Sequence, residues 1–197
     1  MTNDPRFGPI ERALTARRFT DTAPSPGHAQ AAVALVLRPR DDLELLLIRR
    51  AERGDDPWSG HIALPGGRRD FADPDLAATA FRETVEETGI SIPHSGRVLG
   101  RLGVVTTPSR LPAIEIVSFV AGVPSDTTLT LDPAEVVDAS WIPLSVLRSI
   151  EAASEFRIER SGEELAFPSI VHGDYTIWGL THRILSDFLD VLDGAGI

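Results

Sequence analysis

Residues Pro65–Ile90 read PGGRRDFADPDLAATAFRETVEETGI. Pro65-Gly66-Gly67 ends the short strand that precedes it, and Gly89 suits the residue that closes a helix. The spacing predicts a helix over Asp75–Thr88. At ~100° per residue, Leu76, Ala77, Ala80, Phe81, Thr84, Val85 and Thr88 fall on one half, and Arg82, Glu83, Glu86 and Glu87 on the other. Carboxylates at i, i+3 and i+4 on one face repel one another. A solvated charged face is the ordinary reading of such a string. The flanking Gly66-Gly67, where backbone approaches a ligand closely, and the closing Gly89 favour a divalent cation instead. Hard oxygen donors with no His or Cys beside them select magnesium, or manganese, over zinc.

Outward from this helix, the chain alternates apolar runs with breakers. Ala29–Leu37 and Leu43–Arg50 are apolar segments joined by Arg38-Pro39-Arg40-Asp41-Asp42, which predicts a hairpin whose two faces are both covered. A short strand is expected at His61–Leu64, further strands at Val98–Thr107, Ile114–Val123 and Glu135–Ile142, and a short helix near Leu144–Ile150. Phe156–Glu159 and Glu164–Phe167 flank Ser161-Gly162 as a small hairpin. Trp178, Thr181, Ile184, Leu185, Phe188, Leu189 and Leu192 form one stripe of a terminal helix. Ile10, Leu14 and Phe19 suggest a helix over Ile10–Phe19, and the Pro- and Gly-containing Asp21–Gly27 reads as a linker. The expected organisation is an N-terminal helix and linker over 1–26 and one folded domain over 27–197. The fold class is α/β (α+β), a mixed central sheet with helices on its faces.

The 197 residues carry a formal charge of −10 and no cysteine. Nucleic acid and anionic lipid both require clustered Lys and Arg, so neither is expected as a partner. Phosphate must be met locally, by a few arginines or by metal. Without thiols there is no disulfide and no thiolate metal site, and a cytoplasmic protein is the default. No run approaches the roughly 20 apolar residues of a membrane span.

The Pro65–Ile90 segment resembles the Nudix box: Gly, five residues, Glu, seven residues, then Arg-Glu-apolar-x-Glu-Glu-x-Gly-apolar. Gly67 matches the opening glycine, and Arg82, Glu83, Glu86, Glu87, Gly89 and Ile90 match the closing half. Asp73 stands near the place of the first Glu, with eight residues before Arg82, and Thr84 replaces the apolar residue. The likeness runs from about Ala29 to Leu192. Its order of hairpin, LPGG, box helix, Asp132-Pro133-Ala134-Glu135-Val136-Val137, Trp141-Ile142-Pro143-Leu144 and Trp178-Gly179-Leu180-Thr181 is similar to the coenzyme A pyrophosphatase branch. That branch shares the longer box, with Asp70 and Asp73 as its Asp-x-x-Asp. In its signature before LPGG, Arg50-Ala51 and Gly60 are present; Asp55-Asp56 replaces the middle Arg, and Leu64 replaces Phe.

The resemblance implies an α/β/α sandwich and a magnesium-dependent hydrolase, manganese being the alternative ion. Its substrate is a small molecule with a nucleoside-diphosphate linkage. Coenzyme A or a derivative is one candidate; ADP-ribose, a nucleotide sugar or a modified nucleoside triphosphate is another, and a non-catalytic nucleotide sensor is the reading from outside the enzyme class. Homodimers fit the family. The implied metal ligands are Glu83, Glu86, Glu87 and the Gly67 carbonyl. Arg82 orients them by pairing with Glu86 and with an acid of the Gly67–Asp73 loop. Glu135, in a loop before the Val136–Pro143 strand, is the expected general base or else a solvated loop residue. Arg49, Arg50 and Arg53 are placed to meet phosphate. His61 either faces substrate or is structural, and Trp58 either stacks on a base or packs on the fold.

Overall fold

The computed structural model describes residues 4–17, 25, 27–52, 54, 59–107, 113–160 and 162–197. Two long strands form the centre, β1 (Ala29–Pro39) and β2 (Leu43–Arg50), paired antiparallel through Leu37 and Leu45. Both strands are buried on alternate sides, as their continuous apolar sequence requires. On its other edge β1 runs parallel to β6 (Ile114–Gly122), which pairs antiparallel with β5 (Arg97–Thr106). Two short strands, β3 (Ile62–Ala63) on β2 and β4 (Gly66–Arg68) on β1, and the longer β7 (Val136–Pro143) on β2 complete a seven-stranded mixed sheet.

Helices cover both faces, giving the expected sandwich. On one face α1 (Phe7–Ala16) and α5 (Gly179–Gly194) bury Phe7, Ile10, Leu14, Leu185 and Phe188 against Leu35, Leu37, Leu45 and Leu47. On the other, α2 (Leu76–Thr88) and α3 (Ile92–Ser95) set Ala80, Ile90 and Ile92 against Ala32, Ala34, Val36 and Leu46. The small Ala32, Ala34 and Ala80 side chains let α2 lie close to β1. A turn of helix, α4 (Leu144–Leu147), follows β7. A second, three-stranded sheet, β8 (Ala153–Arg160), β9 (Glu163–His172) and β10 (Tyr175–Trp178), leads into α5.

Three sequence expectations are corrected. The first helix spans Phe7–Ala16 rather than Ile10–Phe19: Phe7, fully buried, belongs to its apolar stripe, and Phe19 lies outside the described residues. Gly66-Gly67 continues into strand β4 instead of only ending one. Trp178 is the last residue of β10, not the first of the helical stripe, because Gly179 turns the chain at φ 62 and the helix starts there. Among the described residues no helix is long and apolar enough to cross a membrane.

Candidate active site

The site is built on α2 and the strand beneath it. Asp75 adopts an extended conformation and its side chain accepts the Ala78 N–H at 2.8 Å, so Asp75 caps the helix instead of opening it, and the first helical residue is Leu76. It ends at Gly89, left-handed at φ 73, with the Gly89 N–H on the Val85 carbonyl. The orientation of the helix departs from the simple wheel. Val85 is 42% exposed and Glu87 only 2% exposed. The wheel assigns carboxylates outward, but α2 rests on the glycine pair of β4, and the missing side chains there make room for two glutamates.

Geometry around those glycines leaves little alternative. A Cβ on Gly67 would stand 2.5 Å from the Glu83 carboxyl carbon, and one on Gly66, at φ 150, would stand 2.3 Å from the Ala32 carbonyl oxygen. The Gly66 N–H instead donates to Glu87 Oε2 at 2.9 Å. Glu135, just before β7, brings its carboxylate to the same place, so that oxygens of Glu83, Glu87 and Glu135 lie within 4.8 Å of one another. Burial in this crowd pushes the Glu87 carboxyl up to about 8, only partly opposed by the Gly66 N–H and by Arg50, whose Nη1 is 4.0 Å from Glu87 Oε1. Glu83, half-buried, is raised as well, chiefly by desolvation and against the pull of Arg82.

Arg82 ties the glutamate face to the preceding loop. Its Nε and Nη2 donate to the two oxygens of Asp73 at 3.0 and 2.9 Å, a bidentate pair, and its Nη1 stands 2.9 Å from both Glu83 Oε1 and Glu86 Oε2. Asp73 is buried, and it also accepts the Asp70 N–H and the Thr79 hydroxyl, each at 2.9 Å. These donors, the Arg82 guanidinium first, hold the Asp73 carboxyl well below the usual carboxylate range. Of the two loop aspartates it is Asp73 that meets Arg82.

The structure thus brings together Glu83, Glu87, Glu135, Gly67 and Arg50, with Arg82 behind them. Glu86 stays at the exposed rim on Arg82 and outside the three-carboxylate group. Arg49, one residue before Arg50, emerges on the opposite face of β2: its Nη2 donates to the Asp174 carbonyl and carboxylate at 3.0 and 3.1 Å, and its guanidinium lies 5.1 Å from the Tyr175 ring. His61 sits beside the site, its carbonyl accepting the Arg50 N–H at 3.1 Å and its ring 4.9 Å from that of Trp178. Arg53 and Trp58 lie outside the described residues. Sequence reasoning missed Tyr175 and Asp138, whose hydroxyl and carboxylate are joined at 2.9 Å. A four-residue strand carries too short a pattern to announce itself.

Glu83 and Glu135 thus crowd a buried glutamate, Glu87, whose charge desolvation disfavours, in an all-oxygen group beside the glycines of β4. The family model of the NUDIX domain matches residues 27–160, and the chain belongs to that family. It is accordingly a Nudix hydrolase, an enzyme acting on pyrophosphate bonds. The human mitochondrial coenzyme A diphosphatase NUDT8 is 31% identical over 187 residues, covering 92% of this chain and 78% of that one. An uncharacterized Schizosaccharomyces pombe protein is 33% identical over 163 residues, 73% of this chain; the chain spans about half of that relative, 49%. Among solved structures, a MutT/nudix family protein from Enterococcus faecalis superposes with a TM-score of 0.57 at 20% identity, covering 98% of this chain and 75% of that one, a likeness of fold.

Proposed function

We propose that the chain hydrolyses the pyrophosphate linkage of a nucleoside-diphosphate-linked small molecule, with coenzyme A or a derivative as the first substrate to test. The observation that carries this reading is the convergence of Glu83, Glu87 and Glu135 within 4.8 Å on a fold whose family cleaves such bonds. Support for the substrate class comes from the similarity to a coenzyme A diphosphatase along 92% of the chain. The cysteine-free composition fits a reducing compartment, and the cytoplasm is the one proposed.

The donor set fits a magnesium or manganese ion: all the donors are oxygens, and a cation beside Glu87 would offset the desolvation that raises its carboxyl. Glu83, Glu87 and the Gly67 carbonyl would hold it, with Glu86 adding an oxygen from the rim. When bound, such an ion neutralises diphosphate oxygens and acidifies the attacking water. The rest falls to the chain. Arg82, locked to Asp73, fixes the rotamers of Glu83 and Glu86, so that the ligand oxygens are already in place when substrate arrives. Arg50, whose Nη1 is 4.0 Å from Glu87 Oε1, offers its guanidinium to a phosphate oxygen. A carboxylate oxygen of Glu135 accepts the proton of the attacking water.

The test is a panel of coenzyme A, dephospho-coenzyme A, ADP-ribose, a nucleotide sugar and a nucleoside triphosphate, assayed with magnesium and again in excess chelator, with products identified by mass. Two phosphate-bearing products from a diphosphate-linked substrate, formed only with the ion, are expected. Full turnover in chelator refutes the role given to the carboxylates.

A further inference from the structure

The second sheet holds a set of aromatic rings that the pyrophosphate chemistry does not use. Cross-strand neighbours share a face, and β8, β9 and β10 place Phe156 opposite Phe167, Ile158 opposite Leu165 and Trp178 opposite Ser169. One face of the sheet is therefore an apolar strip of Trp178, Phe156, Phe167, Ile158 and Leu165, all half-buried. The Trp178 ring is its centre, 4.4 Å from Phe156 at 31° and 5.6 Å from Phe167 at 53°. The fourth ring is His61, at 4.9 Å and 58°, and it comes from the segment leading into β3.

His61 joins this strip to the catalytic face. In the β2–β3 ladder Ile62 lies opposite Arg49, so that His61 and Arg50 are the next pair, bonded through the Arg50 N–H and the His61 carbonyl at 3.1 Å. Arg50 reaches Glu87, and the Ala51 N–H donates to the Glu135 carbonyl at 2.8 Å. From the carboxylate cluster to the rings is thus one strand end and one ladder rung. Four bonds anchor the sheet and the start of α5 there. Tyr175 donates to Asp138 of β7 at 2.9 Å, Arg49 donates to Asp174, and Thr181 Oγ1 donates to the Ile62 carbonyl at 3.1 Å. Arg49, turned away from the carboxylates, is here a positioning residue.

We propose that the His61–Trp178–Phe156 face stacks the nucleobase of the substrate whose pyrophosphate lies over Glu83, Glu87 and Glu135, which makes Trp178 and Phe156 specificity-determining residues. The proposal rests on the pyrophosphatase reading above and adds the part of the substrate that reading leaves free. A base is the occupant that fits. The face is aromatic rather than merely aliphatic, it abuts the residues assigned to the diphosphate, and the chain's charge of −10 supplies no broad positive surface to hold a nucleotide by its phosphates alone. Stacking on an aromatic ring holds any base by its π-face and asks nothing of its edge, so discrimination falls between substrates that carry a base and those that do not.

The experiment compares the wild type with Trp178→Ala, Trp178→Phe and Phe156→Ala, each checked for folding by circular dichroism. KM and kcat are measured for coenzyme A, ADP-ribose and a pyrophosphate diester lacking a base. The two alanine variants should raise KM for the base-bearing substrates on the order of tenfold or more, with kcat changed much less. KM for the base-free diester should stay where it was, and Trp178→Phe should recover most of the loss. Binding of AMP, followed by saturation-transfer NMR from the aromatic protons in metal-free Glu87→Gln protein, reads the same face without turnover; contact with the adenine protons is expected. If no substrate is cleaved by the wild type, the pyrophosphatase reading fails while the AMP measurement still decides this one. Equal KM changes for base-bearing and base-free substrates, or no transfer to adenine, would overturn it.

Discussion

Glu87→Gln separates the stability of this protein from its chemistry. The carboxylate is 2% exposed, accepts one backbone N–H, has its nearest cation 4.0 Å away, and in the absence of metal titrates near 8 instead of the ordinary 4.5. Unfolding releases it to water, where it ionises near 4.5, so between these values the unfolded chain binds fewer protons than the folded one. Stability falls as pH rises through that window, by about 1.4 kcal/mol per pH unit, and the full penalty by pH 8 to 9 is on the order of 3–5 kcal/mol. Glutamine is uncharged, keeps the length, and its oxygen still accepts the Gly66 N–H. In metal-free buffer the variant should therefore melt with the wild type at pH 4.5 and above it at pH 8.5. For a chain of this size the gap there is roughly 10 °C. With saturating magnesium the order reverses in function: an amide is a weak ligand for a hard cation, and kcat should drop about 10²-fold or more. Differential scanning fluorimetry in chelator at the two pH values, with steady-state assays in magnesium, measures both. Equal melting temperatures at pH 8.5 would show that burial does not penalise this charge, and retained turnover would remove Glu87 from the machinery.

The same titration predicts that magnesium affinity, measured by isothermal calorimetry without substrate, tightens by up to tenfold per pH unit and levels off near pH 8, because the ion competes with the Glu87 proton; a pH-independent affinity between 6 and 8 would contradict it. Gly67→Ala puts a methyl 2.5 Å from the Glu83 carboxyl carbon, so Glu83 must leave its rotamer; kcat should fall by about 10²-fold while circular dichroism stays that of the wild type. For Asp73 the sign is opposite to that of Glu87. Its folded pKa is depressed, so the stability contributed by the Arg82 pair is present above the ordinary value of 3.8 and is lost as pH falls through the lower folded one. Asp73→Asn should melt below the wild type at neutral pH and converge with it in strong acid; thermal melts across the acid range check this.

How far the sequence foretold this molecule depends on how long each signal ran. β1 and β2 were legible as apolar runs of eight or more residues between breakers, α5 because its apolar stripe repeats one period, and α2 because its closing glycine and its apolar half mark it. β10 was not, for its four residues Tyr175–Trp178 run into a helix whose apolar stripe claims Trp178 by spacing alone. The candidate site was legible in its residue types and less so in its geometry. A helical wheel sorts side chains by polarity, so it places Glu83, Glu86 and Glu87 together on the water side. The fold divides them: Glu87 goes inward beneath Gly66, Glu83 stands over Gly67, and Glu86 remains outside with Arg82. Only the pairing of β4 with β1, which lays two side-chain-free residues under the helix, makes that division, and strand pairing across more than 30 residues has no local signature.

That division also explains how three glutamates coexist on one helical turn and a half. Full ionisation of all three would set like charges at i, i+3 and i+4 in a half-dry site. In the metal-free fold the repulsion is relieved in two ways. Arg82 offsets part of the charge of the outer pair, standing 2.9 Å from Glu83 and from Glu86, and is itself held by Asp73. Glu87 escapes by keeping its proton up to about pH 8. With Glu87 holding its proton, the carboxylates of Asp73, Glu83, Glu86 and Glu135 face two guanidiniums, Arg82 and Arg50, so the formal charge of the cluster stays negative. A divalent ion held here, as proposed above, would displace that proton and meet oxygens of Glu83, Glu87 and Glu135 that already lie within 4.8 Å of one another. The burial that raises Glu87 also strengthens its hold on the proton, so an ion at this site competes with that proton below about pH 8, which is what the calorimetric titration reads.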